Sequence, residues 1–229
     1  MKLAIVIPAF NEAGMIDKVI ESLPKKLPEI NEVISIVVDD GSSDDTYHVA
    51  SERADYVVRS MINMGVGLAT RLGIEAAKRL DADIVLTMDA DGQHSGADIK
   101  NLIAPILAKK ADITLGTRML NSKGMPFVKV FGNWVMNVLT FLLFHIWVTD
   151  SQSGMKAFSK EAVNKINISS ISYEVCSEIV GEARHYRLRI QEVPIQTIYT
   201  KYSRVKGQNI FNAVDIVTRL ISLRMGKRR

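Results

Sequence analysis

Asp89 and Asp91, in the stretch "MDADGQH" (88–94), follow directly on the apolar run "ADIVLT". In an extended segment residues i and i+2 point the same way, so the two carboxylates can reach one ligand. Acids that close repel each other and lose hydration unless something positive joins them. A hard divalent cation, Mg²⁺ or Mn²⁺, answers that need. Magnesium is typically held by one or two carboxylates, with water and substrate phosphates completing its shell. The visitor expected at Asp89 and Asp91 is therefore a metal-bound diphosphate. The competing reading of an isolated Asp-x-Asp is a solvated turn closed by an Asx-type hydrogen bond. A position after a buried strand, on a rim with other acids, favours the cation.

Those other polar groups end other apolar runs. "PAFNE" (8–12) closes the first and supplies Asn11 and Glu12, besides a turn and a helix cap. "VVDDGSSD" closes the second. There Asp39 or Asp40 can accept hydrogen bonds from a base N–H or from ribose hydroxyls, or both acids merely cap the next helix. "GTR" places Arg118 at the end of another run. "NMGVGLATRLGIEAA" (63–77) carries Gly65 and Gly67, but the dinucleotide fingerprint G-x-G-x-x-G would need glycine where Thr70 stands, which excludes NAD binding. These glycines serve close approach of backbone to a ligand, or tight helix packing.

The elements that must hold these groups are legible from composition. "KLAIVIPAF", "VISIVVDD", "ADIVLTMDA" and "ADITLGTR" are β-branched runs that read as strands buried on both faces, with "DYVVR" (55–59) a shorter one. Helices are expected at about 13–23, 44–54, 67–80 and 98–109, the second capped from "DGSSDDT". This alternation predicts an α/β fold, a mostly parallel sheet with helices on both faces. Ligands on such sheets bind outside the carboxyl ends of the strands. Asn11–Glu12, Asp39–Asp40, Asp89–Asp91 and Arg118 all fall at those ends.

The second half reads differently. Residues 127–148, "FVKVFGNWVMNVLTFLLFHIWV", are strongly apolar, and Val130 to Val148 contain no Asp, Glu, Lys or Arg. A spanning helix needs about 20 such residues. Gly132, Asn133, Asn137 and His145 interrupt this one, so a helix at the membrane interface or packed under the sheet is expected. "DSQSGMKAFS" reads as a loop into a strand, "YEVCSEIVGEARHY" as an amphipathic helix, and "LRIQEVPIQTIY" as a strand bent at Pro194. "NIFNAVDIVTRLISLRM" puts Ile210, Val214, Val217 and Ile221 on one helical face.

With 229 residues, 47% hydrophobic and 24% charged, one continuous domain with a sizeable core is expected. Cys176 is the only cysteine, which excludes an internal disulfide and suits a reducing compartment. The four histidines show no metal-finger spacing. The amino terminus reads as a first strand, not a signal peptide. The net charge of +4 is lopsided: from Lys201 onward eight Lys/Arg face one acid, Asp215, whereas the first 200 residues hold 21 basic and 24 acidic groups. Such a tail suits an anionic surface, and no nucleic-acid motif accompanies it, so no nucleic-acid partner is expected.

In order, "IPAFNEAGMI", "VDDGSSDDT", "NMGVGLA", "MDADGQH", "GTR" and "DSQSGMKAF" resemble family 2 glycosyltransferases, and among them the dolichyl- or polyprenyl-phosphate sugar synthases. The likeness covers about residues 3 to 207. It implies a GT-A (Rossmann-like) fold, a nucleoside-diphosphate sugar donor linked to GDP or UDP, a divalent cation and inversion at the sugar carbon. Carried over by position, it implies that Pro8, Phe10 and Glu12 line the base and ribose pocket with Asp39 or Asp40. Ala9, Asn11, Asn63, Gly65 and Ala90 join the same donor set. It also implies Asp89, Asp91 and Gln93 as metal ligands, Asp91 and Arg118 as the catalytic pair, and Arg204 and Lys206 in a basic loop over the donor diphosphate. For the acceptor phosphate it implies Arg118, Lys129, Asn133 and Ser153. The chain departs from the pattern at Met64, where a basic residue is common, and at Lys129, where arginine is expected.

The acceptor implied is polyprenyl phosphate. Relatives that glycosylate hydroxyls generally carry a carboxylate base and often Q-x-x-R-W, which is absent here. Glu174 and Glu178 are base candidates by position, or else part of a solvated helix face. A lipid phosphate is already anionic and needs cations rather than a base. The division expected is a nucleotide-sugar and metal half (1–120), an acceptor half (121–207) and a basic amphipathic helix (208–229). The expected location is cytoplasmic, peripheral to the membrane. Stable anchoring takes two weak signals, which admits a small membrane-protein partner or a homo-oligomer. Two alternatives stay open: transfer to a saccharide hydroxyl, or a non-catalytic nucleotide-sugar-binding protein.

Overall fold

The computed structural model describes residues 1–121, 125, 127–198 and 218–220. In chain order the elements are β1 (Lys2–Ala9), α1 (Ile16–Glu21), β2 (Glu32–Asp39), α2 (Thr46–Arg53), β3 (Tyr56–Arg59), α3 (Val66–Arg79) and β4 (Ile84–Thr87). There follow α4 (Ile99–Leu107), β5 (Ile113–Thr117), α5 (Phe127–Phe144), β6 (Lys156–Ser159), α6 (Lys160–Lys165), α7 (Val175–His185) and β7 (Ile190–Pro194). Among the described residues the seven strands form one sheet in the order β3-β2-β1-β4-β6-β5-β7. All run parallel except β6, which is antiparallel to both β4 and β5.

The near-continuous apolar runs of β1 and β2 follow from burial on both sides. Alternate β1 residues serve opposite faces, as the pleat requires. Ala4 and Val6 meet Ala69, Ile74 and Ala77 of α3 and the cluster from α6 and α7. Leu3, Ile5 and Ile7 meet Ile16 and Val19 of α1, Ala50 of α2, and Leu102 and Ile103 of α4. The chain passes from β1 outward through β2 and β3, then returns under α3 to place β4 on the other side of β1. That reversal opens the crevice above the carboxyl ends of β1 and β4 where ligands of such sheets bind.

Several elements are shorter than the sequence suggests. Helix α1 starts only at Ile16, because the amides of Asn11, Glu12 and Ala13 bond to Ser42, Thr46 and Asp44 instead of continuing a helix. A 3₁₀ turn (Gly96–Asp98) precedes α4. Asp45 stands at the N-cap of α2 without a side-chain bond, and it is Asp44 that accepts the Thr46 amide at 3.0 Å.

Helix α5 is the long apolar element, and its sidedness is inverted. Asn133, Asn137 and Thr140 are buried, while Phe127, Phe131, Trp134, Val135, Phe141 and Leu142 are exposed, Phe127 to 80%. Inward, Thr140 meets Ser177 of α7 at 2.9 Å, and Asn137 holds the Thr149 carbonyl and the Ser151 amide at 2.6 and 2.9 Å. The expectation of a helix packed under the sheet thus fails for its aromatic side. Among the described residues no helix is long and apolar enough to cross a membrane. Of the helix expected over 208–229 only 218–220 is described; it is helical, and Leu220 packs on Met136 of α5.

Candidate functional site

The rim begins where β1 ends. Asn11 adopts φ +54°, and its Oδ1 accepts the Ser43 amide at 2.8 Å, stitching "PAFNE" to the loop after β2. Ala9 and Glu12 are buried, Pro8 is half-buried, and Phe10 is exposed beside them. Ala9 pairs with Asp39 across the strands, and Asp39 with Arg59 of β3.

The two acids of "VVDDG" divide their work. Both oxygens of Asp40 are taken by backbone, the Met64 and Gly65 amides at 2.8 Å each, so Asp40 holds the 63–65 loop rather than offering acceptors to a base. Asp39 Oδ1 accepts the Ser42 amide at 3.1 Å. Its Oδ2 is buried, has no hydrogen-bond partner among the described residues and meets Arg59 Nε at 3.3 Å, with the Arg59 guanidinium over the Tyr47 ring. Asp39 is thus the better fitted of the two to a base N–H. Gly65, at φ +95°, lies so close to the Ile171 carbonyl that a Cβ would collide with it, and Gly67 is equally tight on Ser170. Of the two uses expected for these glycines, the structure shows packing against that loop. Asn63 is exposed next to it.

Asp89 and Asp91 leave β4 on the crevice side, with Ala90 buried between them. The Asp89 side chain is 44% exposed and its Oδ2 lies 3.1 Å from His94 Nε2. Burial alone would push the Asp89 carboxyl up; the His94 hydrogen bond and the charges of His94, Lys156 and Arg118 outweigh it, leaving the carboxyl below its ordinary range. Asp91 moves the other way, raised by burial and then by the negative charge of Asp89. Gln93 partly offsets this, donating its amide N–H to Asp91 Oδ1 at 2.9 Å and its side-chain NH₂ to Oδ2. On the far side, Gly154 lies flush against the Asp89 carboxylate, with no room for a Cβ.

Arg118, expected to face an acceptor, is locked in a fork. Its Nε and NH2 donate to Asp150 Oδ2 and Oδ1 at 2.7 and 2.8 Å, and its amide to Oδ2 at 3.0 Å. Asp150 is fully buried. Burial alone would raise its carboxyl, but the bonds and charge of Arg118 leave it lowered. A carboxylate with a depressed folded value contributes stability that is present above its unfolded value near 3.9 and lost as pH falls through the folded one. Melting curves between pH 6 and 3 should therefore steepen below about pH 4 for the wild type, and flatten there for Asp150→Asn, which also melts lower at pH 7 because Arg118 loses its partner. Equal slopes below pH 4 would contradict this.

The remaining expected contacts divide. Asn133 turns inward, its Nδ2 3.5 Å from the Thr149 carbonyl, and Ser153 is buried with its carbonyl on Lys156 Nζ. Both lie behind the rim rather than on it. Lys129 is in the first turn of α5, and its side chain lies outside the described set, as do Arg204 and Lys206. Glu174 and Glu178 are not part of a solvated face: each is only 2% exposed, and Glu174 Oε2 is buried with no hydrogen-bond partner among the described residues. With Glu182 they recur every four residues and take the amides of 167–172: Glu182 that of Asn167, Glu178 those of Ser169 and Ser170, Glu174 those of Ile171 and Ser172. A loop without secondary structure must find such acceptors. His94, Asp150 as the arginine's partner, and Lys156 were not singled out from the sequence. Only the proximity of His94 to the acid pair offered a local signal.

A mostly parallel sheet with its crevice at the β1/β4 reversal, and an acid pair on that rim, defines a GT-A-type glycosyltransferase fold. The chain belongs to glycosyl transferase family 2, whose model matches residues 4–167, and it is accordingly a glycosyltransferase. Its relatives include the UDP-N-acetylglucosamine–dolichyl-phosphate N-acetylglucosaminyltransferase of Methanococcus voltae, 39% identical over 245 residues, covering 97% of this chain and 96% of that protein. The dolichol-phosphate mannosyltransferase of Pyrococcus furiosus is 28% identical over 232 residues, covering 96% of this chain and 64% of its own length. Among solved structures, Mycobacterium tuberculosis glucosyl-3-phosphoglycerate synthase with Mn²⁺, UDP and glucosyl-3-phosphoglycerate matches with a TM-score of 0.73 at 21% identity, over 96% of this chain and 77% of that one. At that identity the likeness speaks for the fold.

Proposed function

We propose that this glycosyltransferase moves a sugar from a nucleoside diphosphate to a polyprenyl phosphate of the dolichyl type, with a divalent cation and inversion at the sugar carbon. One observation carries the reading: the acid pair and a pre-oriented arginine share a rim, while Glu178 is buried with both oxygens on backbone amides and Glu174, at the N-cap of α7, is buried with one oxygen on the Ile171 and Ser172 amides. That arrangement suits an acceptor that is already anionic and argues against a saccharide hydroxyl that would need a base. The names of the M. voltae and P. furiosus relatives support a dolichyl-phosphate acceptor, and the former makes UDP-N-acetylglucosamine the first donor to test.

The donor set fits Mg²⁺ or Mn²⁺. Asp91 is disfavoured as an anion until a cation joins it, and Asp89 is held ionised beside it. Gln93 now donates to Asp91, and turning its amide over would offer its oxygen. Three ligands of this kind leave positions for water and diphosphate oxygens, as Mg²⁺ prefers. A bound cation would neutralise charge on the departing nucleoside diphosphate. Asp39 would accept the base N–H, and Arg118, oriented by Asp150, would hold the acceptor phosphate. In the transfer an oxygen of that phosphate bonds to the anomeric carbon, and the carbon–oxygen bond to the diphosphate breaks with its electron pair. The phosphate attacks opposite the leaving group, which inverts the centre. Positioning of this sort supplies about 7–11 kcal/mol of a barrier.

The inverted α5 supports a lipid-facing reading. An exposed aromatic face without charge is costly in water and at home in an interface. The basic tail would add about 1 kcal/mol per residue near anionic lipid. Phe131→Asp with Trp134→Asp should cut co-sedimentation with anionic vesicles by at least about tenfold, the worth of burying one such side chain, while melting stays unchanged. Undiminished co-sedimentation would remove α5 from the contact.

The function is tested by incubating the protein with Mn²⁺, polyprenyl phosphate and radiolabelled UDP-N-acetylglucosamine, then other UDP- and GDP-sugars. Label in the lipid phase is the expected result. Label that reaches oligosaccharide acceptors but never lipid, with any donor, would overturn the reading.

A further inference from the structure

Asn137 sits midway along α5 on its buried side, only 4% exposed. Its carboxamide spans the loop that follows the helix. Nδ2 donates to the Thr149 carbonyl at 2.6 Å, and Oδ1 accepts the Ser151 amide at 2.9 Å. A carboxamide suits this bridge because it offers a donor and an acceptor side by side. The residue bracketed between the two bonds is Asp150, fully buried, whose carboxylate takes the Arg118 guanidinium in a fork.

Residues 149–151 lie in neither helix nor strand, so side chains must meet their backbone groups. From the sheet, Glu192 of β7 does so: its Oε1 accepts the Thr149 amide at 2.7 Å, the Thr149 hydroxyl at 2.8 Å and the Asp150 amide at 3.3 Å. From the helix, Asn137 takes the Thr149 carbonyl and the Ser151 amide. Asn133 reaches that same carbonyl only at 3.5 Å. Without the Asn137 carboxamide the Ser151 amide loses its acceptor in a fully buried place, a cost that a shift of the loop relieves. Asp150 shifts with the loop, and the guanidinium of Arg118 shifts with Asp150.

We propose that Asn137 is a positioning residue for the acceptor phosphate, acting through Asp150 to set where the Arg118 guanidinium stands. The inference rests on the reading of Arg118 as the acceptor-phosphate contact. It gives the inner side of α5 a task in the reaction: the helix whose aromatic side would meet the lipid also orients the arginine that would meet the lipid's phosphate.

Steady-state kinetics of the full chain test it, with Mn²⁺, the radiolabelled donor that the wild type uses, and polyprenyl phosphate in detergent micelles, so that vesicle docking plays no part. Calorimetry with Mn²⁺ and UDP or GDP measures nucleotide affinity alongside. Asn137→Ala removes both bonds. Asn137→Asp keeps an acceptor for the Ser151 amide and loses the donor to the Thr149 carbonyl, so the test stands where the alanine variant does not fold. Thr140→Val is the control on the same buried side, since the Thr140 hydroxyl bonds to Met136 and Ser177 and not to the 149–151 loop. Both Asn137 variants should raise the acceptor KM about tenfold, less than the loss for a full 1 Å misplacement, and keep nucleotide affinity within about twofold. Thr140→Val should keep both values near wild type even where it melts lower. An acceptor KM unchanged in both Asn137 variants, raised equally by Thr140→Val, or raised in step with a loss of nucleotide affinity overturns the inference and leaves the proposed function intact. Arg118→Lys with a wild-type acceptor KM overturns the reading of Arg118 and this inference with it. A wild type that transfers nothing to polyprenyl phosphate overturns the proposed function itself.

Discussion

Asp91→Asn will lower metal-dependent sugar transfer by about 10²–10³-fold, the scale of losing one group aimed at charge in the transition state, and will raise the melting temperature of the metal-free protein. The two effects have one cause. Burial, then the negative charge of Asp89, hold the Asp91 carboxyl above its ordinary range. A carboxyl raised on folding favours its protonated form in the folded state. Its contribution is therefore present below the unfolded value and is lost as pH rises through the folded one. At neutral pH the anion strains the metal-free fold, and asparagine relieves that strain at about 2–4 °C per kcal/mol. Adding Mn²⁺ with UDP or GDP should raise the wild-type melting temperature by mass action and leave the variant nearly unmoved. A variant that melts lower and still responds to Mn²⁺-nucleotide would show that Asp91 is structural.

Gly154→Ala should be nearly as damaging without touching any ligand. A Cβ at that position would collide with both oxygens of Asp89. The carboxylate must then turn away, because the turn is held by Thr87 on one side and Lys156 on the other. A displacement of about 1 Å in a positioning group costs on the order of 10²-fold. Activity should fall by that factor, with the half-saturating Mn²⁺ concentration raised and far-UV circular dichroism unchanged. Normal activity at ordinary Mn²⁺ would mean that the partly exposed Asp89 carboxylate can turn from the added methyl and still do its work.

What the sequence made legible was local. β1 and β2 announce themselves as unbroken apolar runs because both faces are covered, and the acids fall where those runs stop. The antiparallel sense of β6 has no local signature, since it depends on pairing with β4 and β5 from more than forty residues earlier. Asp39 and Asp40 look interchangeable in "VVDDG"; they part only because the 63–65 amides fold back onto Asp40. Glu174, Glu178 and Glu182 recur at a spacing that resembles a solvated helix face. The 167–172 loop, with amides to satisfy, turns that face inward. Lys156 escaped notice because lysines are almost never fully buried. The apolar length of 127–148 was plain, but its outward direction was not, because the polar positions that face inward serve the 149–151 loop rather than solvent.

The most direct test is a crystal of the protein with Mn²⁺ and UDP or GDP, with the cation located by its anomalous signal. The account predicts Mn²⁺ bound by Asp91 and shared with the diphosphate, Asp89 directed at the same centre and Gly154 still flush against it. A cation and diphosphate lodged elsewhere, with Asp89 and Asp91 turned to solvent, would contradict it.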